Sequence, residues 1–298
     1  MTFFVRHAED TIERRCAKES EWWHTIKIIV MSLTIAPIRL ILFSTSFIFI
    51  WFLLNVFVHV FGLRPRTSPF MRSFCHYIGC IIMFNLGYYR MHIKGNVDPK
   101  AKIWVANHSN MIDGVAVLIA AGTSSYVARE GSDEIPIAGF FFRMFDTIVV
   151  NRKSDESRAE CKAKIRNWEN DESNPPLLIF PEGTTSYHDH ILPFKMGAFT
   201  STQRVQPIIL NHHVTRYNTS FGDSKTGPPI FWHLWILLCQ FENRCDVEIM
   251  PSVVRKENEN ESDMDFADRT RQVFIDNVER ENLVGSLGKS CSFEPKGG

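Results

Sequence analysis

Residues 40–63 read LILFSTSFIFIWFLLNVFVHVFGL and hold no charged side chain. As a helix this run is roughly 36 Å long, enough to cross a hydrocarbon core of about 30 Å. A run this long and this apolar is a poor core helix, so it must be offered to a membrane or to an extensive cover. Residues 28–36 are apolar too, before Pro37 and Arg39 interrupt. A second apolar stretch, residues 74–89, is short for a full crossing. Basic residues flank the long run on both sides: Arg14, Arg15, Lys18 and Lys27 before it, Arg64, Arg66 and Arg72 after it. Charge therefore does not choose an orientation, and a crossing and a re-entrant hairpin both stay open. Residues 1–27 are polar and mixed in charge, unlike a signal peptide.

Past residue 93 the pattern changes. Short apolar runs predict strands at 103–106, 125–128, 147–150, 177–180, 205–210 and 247–250. Stretches of helical composition lie between them, such as 114–121 and 157–170. Strands alternating with helices predict an α/β fold: a mostly parallel mixed sheet flanked by helices, with an N-terminal hydrophobic helical membrane anchor. The expected organisation is a polar segment 1–27, a membrane-anchoring region 28–92, an α/β domain 93–255, and a charged helix and tail 256–298. Ligands of such sheets bind where parallel strands end.

Lysine plus arginine (33) equals aspartate plus glutamate (33), so the basic surface that nucleic acid requires is not indicated. The seven cysteines form no C-x-x-C pair, so neither a metal nor a redox motif is suggested. The strand 103–106 runs into Asn107-His108-Ser109, and Asp113 follows His108 by five residues. On one ideal helix that spacing sets the two side chains about 140° apart. They can meet only if the histidine precedes a helix and the aspartate lies within it, with Ser109 or Asn110 available as cap. Neutral histidine is a general base near neutral pH, and a carboxylate on its far nitrogen fixes the tautomer and stabilises the imidazolium. No G-x-S-x-G or recognisable cysteine nucleophile accompanies the pair. The proton taken is then expected to come from a substrate hydroxyl.

A second strand ends in FPEGTTS, residues 180–186. Pro181 and Gly183 shape the turn, and Gly183 permits close approach of a ligand to the backbone. Glu182 suits a hydroxyl or a basic partner better than a phosphate. Cations for a phosphate are offered by Arg152, after the strand 147–150, and by Lys195.

NHSNMID, GFFFRMFDTIVVNR, FPEGTT and VQPIIL occur in that order. They resemble the four blocks of the glycerophospholipid acyltransferase family. MIDGVAVLIAAG, VAREGSDEIPIAG, VNRKSDESR, FKMGAF and LLCQFENRCDVEIMPSV are similar to its lysophosphatidylcholine acyltransferase-like branch, as is MSLTIAPIRLIL upstream. The match covers roughly residues 25–285. The resemblance implies acyl transfer from acyl-CoA to the free hydroxyl of a lysophospholipid, with no cofactor and no metal. It makes His108 the base and Asp113 its orienter. Glu182, Gly183 and Thr184 would position the acceptor, with Arg152 near its phosphate. It also implies a membrane enzyme of the endoplasmic reticulum whose catalytic domain faces the cytosol. Lysophosphatidic acid or glycerol-3-phosphate is the alternative acceptor, and a non-catalytic lipid-binding scaffold is the alternative of another class.

Three departures stand out. Asn110 occupies a position where many members carry serine, and Thr185 one where this branch often has cysteine. Some branch members carry C-terminal calcium-binding EF-hands, and no such loop pattern occurs here. Acceptor preference and calcium regulation are therefore left open. One apolar segment, residues 230–241 (IFWHLWILLCQF), is too short to span. Both a core helix and a helix at the membrane–water boundary fit it.

Overall fold

The computed structural model describes residues 21–122, 124–134, 138–150, 155–186, 191–200, 202–213, 220, 229–256 and 260–288. Three helices come first: α1 (Glu21–Leu33), α2 (Ile35–His59) and α3 (Pro69–Asn85). The strands β1 (Ile93–Lys94), β2 (Ile103–Ala106), β3 (Ser125–Arg129), β4 (Ile148–Val150), β5 (Leu177–Ile179), β6 (Arg204–His213), β7 (Arg244–Ile249) and β8 (Val253–Val254) follow. Between and after them run α4 (Asp113–Ala121), α5 (Ala138–Met144), α6 (Asp155–Asn170), α7 (Ile230–Cys239) and α8 (Asp263–Gly288).

The eight strands form one sheet in the order β1-β7-β6-β2-β5-β3-β4, with β8 added on β6. All pairings are parallel except those of β6 with β7 and with β8. The predicted mixed, mostly parallel α/β sheet is what forms. β6 is longer than its apolar run because Asn211, His212 and His213 continue the ladder with Asp246, Cys245 and Arg244.

Both faces of the sheet are covered, as buried parallel strands require. Trp104, Ala106, Leu178, Ile208 and Leu210 face a layer made by α2, α3, α4 and α7. Ile103, Val105, Leu177, Ile179, Val205 and Ile209 face the other layer, where α6 and α8 pack. Phe266 and Phe274 of α8 are fully buried there, so the charged C-terminal helix is built into the core.

The N-terminal helices differ from the sequence reading in their limits. Pro37 and Arg39 do not interrupt α2. Proline is tolerated in a helix's first turn, where its missing N–H has no intrahelical partner, and Arg39 finds carbonyls to bind. Its guanidinium donates to Leu238 O, Gln240 O and Phe241 O, the carbonyls that end α7, and to the Tyr89 hydroxyl. The second apolar helix begins earlier than residue 74 because Ser68 caps it, accepting from Met71 N, with Pro69 at the first position.

At 25 residues α2 is long and apolar enough to cross a membrane. It nevertheless touches the domain along its length. Ala36 and Arg39 meet the first core, Phe47 stacks on Phe141 of α5 at 5.7 Å, and Ile50 and Leu54 pack with Met71, Cys75 and Ile78 of α3. Its other side exposes Ile41, Ile48, Phe49 and Phe52. The hydrophobic surface so displayed fits membrane association.

Candidate active site

Three adjacent parallel strands, β5, β2 and β6, end at the same edge of the sheet. Asn107 locks two of them together: its amide donates to Leu210 O at 2.9 Å and its oxygen accepts from Leu210 N at 2.8 Å. The next residue is His108, held in the turn before α4, and α4 opens with Asp113. The H-x4-D spacing works because the histidine lies outside the helix and the aspartate is its first residue.

Asp113 is fully buried. Its Oδ2 lies 2.9 Å from His108 Nδ1 and accepts from the backbone N–H groups of Ser109 (2.7 Å) and Asn110 (2.8 Å). Its Oδ1 lies 2.7 Å from His212 Nε2. Ile112 stands at the cap of α4 without a side-chain cap bond; Asn110 Oδ1 accepts from Ile112 N at 3.4 Å, and the Asp113 carboxylate ties down the preceding turn. Burial by itself would push this carboxyl up. The positive field of His212 and the hydrogen bonds from both histidines outweigh it and hold Asp113 well below the usual carboxylate range. The site thus keeps a carboxylate with no direct access to water, at a helix N-terminus that favours negative charge.

With Nδ1 turned to Asp113, the lone pair of neutral His108 sits on Nε2, on the far side of a ring that keeps 26% of its side-chain surface exposed. Phe180 stacks on that ring at 4.2 Å between centroids and 21° between planes. The arrangement is an oriented general base at the open edge of a parallel sheet, able to take a proton from a hydroxyl brought to Nε2.

A profile described as Acyltransferase matches residues 89–215, the stretch that contains this edge. Lysophosphatidylcholine acyltransferase 1 of Rattus norvegicus is 30% identical over 261 residues, covering 82% of this chain and 47% of its own length. The human protein of that name is 28% identical, over 84% of this chain and 48% of its own. The chain belongs to the glycerophospholipid acyltransferase family. Lysophospholipid acyltransferase LPEAT2 of Arabidopsis thaliana is 27% identical over 81% of the chain and 45% of itself. The chain spans about half the length of these curated relatives. The crystal structure of the 1-acyl-sn-glycerophosphate acyltransferase PlsC from Thermotoga maritima superposes with a TM-score of 0.54, over 82% of this chain and 98% of that one. At 18% identity it speaks for the fold of this acyltransferase domain alone.

The remaining expected site residues of this family member fall out unevenly. Glu182 is buried, and it reaches the histidine loop rather than open space. Its Oε1 accepts from His108 N at 3.0 Å and its Oε2 from Leu192 N at 3.1 Å. Burial raises its carboxyl above the usual range while those two N–H groups and the Ser186 hydroxyl pull the other way. Ser186 N in turn donates to His108 O at 2.8 Å. The loop after β5 therefore clasps the loop after β2 from both sides. Gly183 adopts φ +73° in this turn, and a Cβ there would collide with the Lys195 side chain. Lys195 is exposed and its own N–H bonds Pro181 O, so it covers the Glu-Gly-Thr turn. Thr184 is half-buried beside them. Arg152 lies outside the described residues.

His212 and His233 were not singled out by sequence reasoning. His212 follows the apolar block VQPIILN, two residues beyond Leu210 and hence on the same strand face, the face that meets α4. That position at the end of a strand parallel to β2 was its only signal. His233 of α7 reaches Asn110 Oδ1 at 3.2 Å, and Asn110 Nδ2 faces the Tyr88 hydroxyl at 3.5 Å. The asparagine that departs from the family's usual serine thus has its own buried partners. Burial lowers the His233 imidazole to about 4 against the opposing pull of Asp113, so it is neutral at pH 7.

Proposed function

We propose that this acyltransferase moves a fatty acyl group from acyl-CoA to the free hydroxyl of a lysophospholipid, with a lysophosphatidylcholine-type acceptor favoured. The observation that carries this reading is His108 held by the buried Asp113 carboxylate with Nε2 turned outward, at the edge where three parallel strands end. His108 Nε2 takes the hydroxyl proton as the oxygen attacks the thioester carbonyl. Asp113 stabilises the imidazolium that results. Collapse of the tetrahedral intermediate breaks the carbon–sulfur bond, and the proton on Nε2 passes to the departing thiolate. The nucleophile belongs to the substrate, so no acyl-enzyme is needed.

Glu182, Gly183 and Thr184 act by shaping the loop against which the acceptor rests, with Lys195 and Arg152 as cations for its phosphate. The exposed apolar side of α2 brings the domain to the bilayer, where the acceptor resides. Free cysteines at positions 75, 80, 161, 239 and 245 suit a domain on the reducing, cytosolic face, with the endoplasmic reticulum as the proposed membrane.

The test offers one acyl-CoA to the purified protein in detergent together with lysophosphatidylcholine, lysophosphatidylethanolamine, lysophosphatidic acid or glycerol-3-phosphate. The expected result is acylated product with the highest kcat/KM for lysophosphatidylcholine. Product formed only from lysophosphatidic acid or glycerol-3-phosphate would move the reading to those acceptors. Absence of product with all four would remove it.

A further inference from the structure

Asp113 serves two histidines, and the mechanism above uses only one. His108 meets Oδ2 and His212 meets Oδ1, at 2.9 and 2.7 Å. The His212 side chain is fully buried, as is that of Asp113, so the pair exchanges nothing with solvent. His212 lies in the core wall, with the Tyr88 ring edge-on at 6.3 Å and Cys245 Sγ 3.8 Å from Nε2.

We propose that His212 is a positioning residue of the acyl-transfer site, fixing the Asp113 carboxylate through Oδ1 so that Oδ2 is aimed at His108. The inference rests on the acyl-transfer reading for its kinetic consequence, though not for its geometry. A carboxylate at the end of a side chain can turn about its last bond. The two backbone N–H groups and His108 define where Oδ2 sits, and His212 fastens the other end. The second donor has an electrostatic effect as well. It draws negative charge toward Oδ1, which weakens the pull of Asp113 on the proton that His108 acquires. His108 is then oriented without being held permanently as an imidazolium. Burial opposes charge on His212, while Cys245 and Asp113 push its imidazole up.

Among the described residues, the other ionisable groups around this centre come from each packed element. They are Tyr88 after α3, Glu182 in the loop after β5, His233 on α7 and Cys245 on β7. Glu182 bonds the backbone of His108, and His233 bonds Asn110 while feeling the Asp113 charge, so neither is placed as the bond at Oδ1 is.

The experiment compares the full chain in detergent with His212→Leu and His212→Gln. Glutamine carries an N–H to nearly the position of Nε2; leucine carries none. Two readouts are taken: the pH profile of kcat/KM, and the titration of His108 followed by NMR on histidine-labelled protein, with His108→Ala assigning the signal. For His212→Leu the expected results are a kcat lowered roughly tenfold to a hundredfold, the worth of one hydrogen bond to a charged group. The acidic limb and the His108 titration should both move to higher pH by about one unit or more. His212→Gln should restore most of kcat. A folded leucine variant with unchanged kcat and limb overturns the proposal, and so does equal damage by leucine and glutamine, which would mean packing alone. Should the leucine variant not fold, His212→Asn replaces it. Its amide is one methylene too short to reach Oδ1, so asparagine matching glutamine would equally overturn the proposal. If the wild type transfers no acyl group yet the His108 titration moves as expected, the acyl-transfer reading fails while the coupling of the two histidines stands.

Discussion

At the scale of residues, Asp113 does more than meet His108. Its two oxygens face four N–H groups, those of His108, His212, Ser109 and Asn110. Asp113→Asn must therefore turn an amide N–H toward one of these donors. We predict a fall in turnover together with a stability loss of about 1–3 kcal/mol, the cost of a buried donor without an acceptor. Denaturant unfolding of the purified variant checks it; native stability with lost turnover would show that the site relaxes around the amide. His233 gives a prediction in pH. Its folded value of about 4 lies below the ordinary 6.5, so between those values the unfolded chain takes up a proton that the folded one refuses. Stability therefore falls as pH drops through that window. His212 acts in the opposite window: raised to about 10, it favours the folded state below 6.5 and loses that contribution as pH rises through 10. Replacing His233 by glutamine, which can still donate to Asn110, should flatten the acidic side of the Tm–pH curve and leave the alkaline side alone. Glu182, raised by burial, works against the His233 trend, but it is present in both proteins and cancels in the comparison. Parallel acidic limbs for the two proteins would count against a buried neutral His233.

At the scale of elements, the join between α2 and the domain depends on Arg39. Its guanidinium meets carbonyls at the C-terminal end of α7, where a cation also complements the helix dipole. Asn243 supports the same corner, donating to Leu86 O at 2.6 Å and Leu237 O at 3.0 Å. Arg39→Met keeps the apolar stem but leaves those carbonyls without their donor, at roughly 1–3 kcal/mol each. We predict a lower Tm in detergent and faster proteolysis in the 60–68 connection. An unchanged Tm would mean that packing by Ala36, Ile50 and Leu54 holds α2 unaided. Elements of this kind mark the border of what the sequence discloses. The strands were legible because buried parallel strands are short apolar runs between turn residues. His108 and Asp113 were legible because their spacing demands a strand end and a helix start. Arg39 read as an interruption, since a lone charge in an apolar run looks like a break until its partner, some two hundred residues later, is beside it. His212 was hidden for the same reason: β6 meets α4 only through tertiary packing, and nothing local to NHH announces it. The segment 230–241 resisted both of its alternatives, because α7 buries His233, Leu237 and Leu238 while leaving Ile230 and Phe231 exposed.

At the scale of the whole molecule, the outward side of α2, Phe84 of α3 and Phe231 of α7 expose large apolar side chains, a display that suits a membrane contact. The full chain should float with liposomes, and Phe49→Glu with Phe52→Glu should weaken flotation while leaving the circular dichroism spectrum unchanged. Undiminished flotation would place the membrane contact elsewhere. On the proposed reading, the sheet edge, the buried carboxylate and the apolar cover form one device, a base held where a lipid hydroxyl would arrive. The most direct measurement of that claim follows labelled acyl-CoA and lysophosphatidylcholine with the wild type and His108→Ala, at equal folded concentration and equal binding to vesicles. Labelled diacyl product should form with the wild type and fall by about 10²–10⁴-fold with the variant, the usual contribution of a general base. Product formed by His108→Ala at a rate within twofold of the wild type would contradict the account.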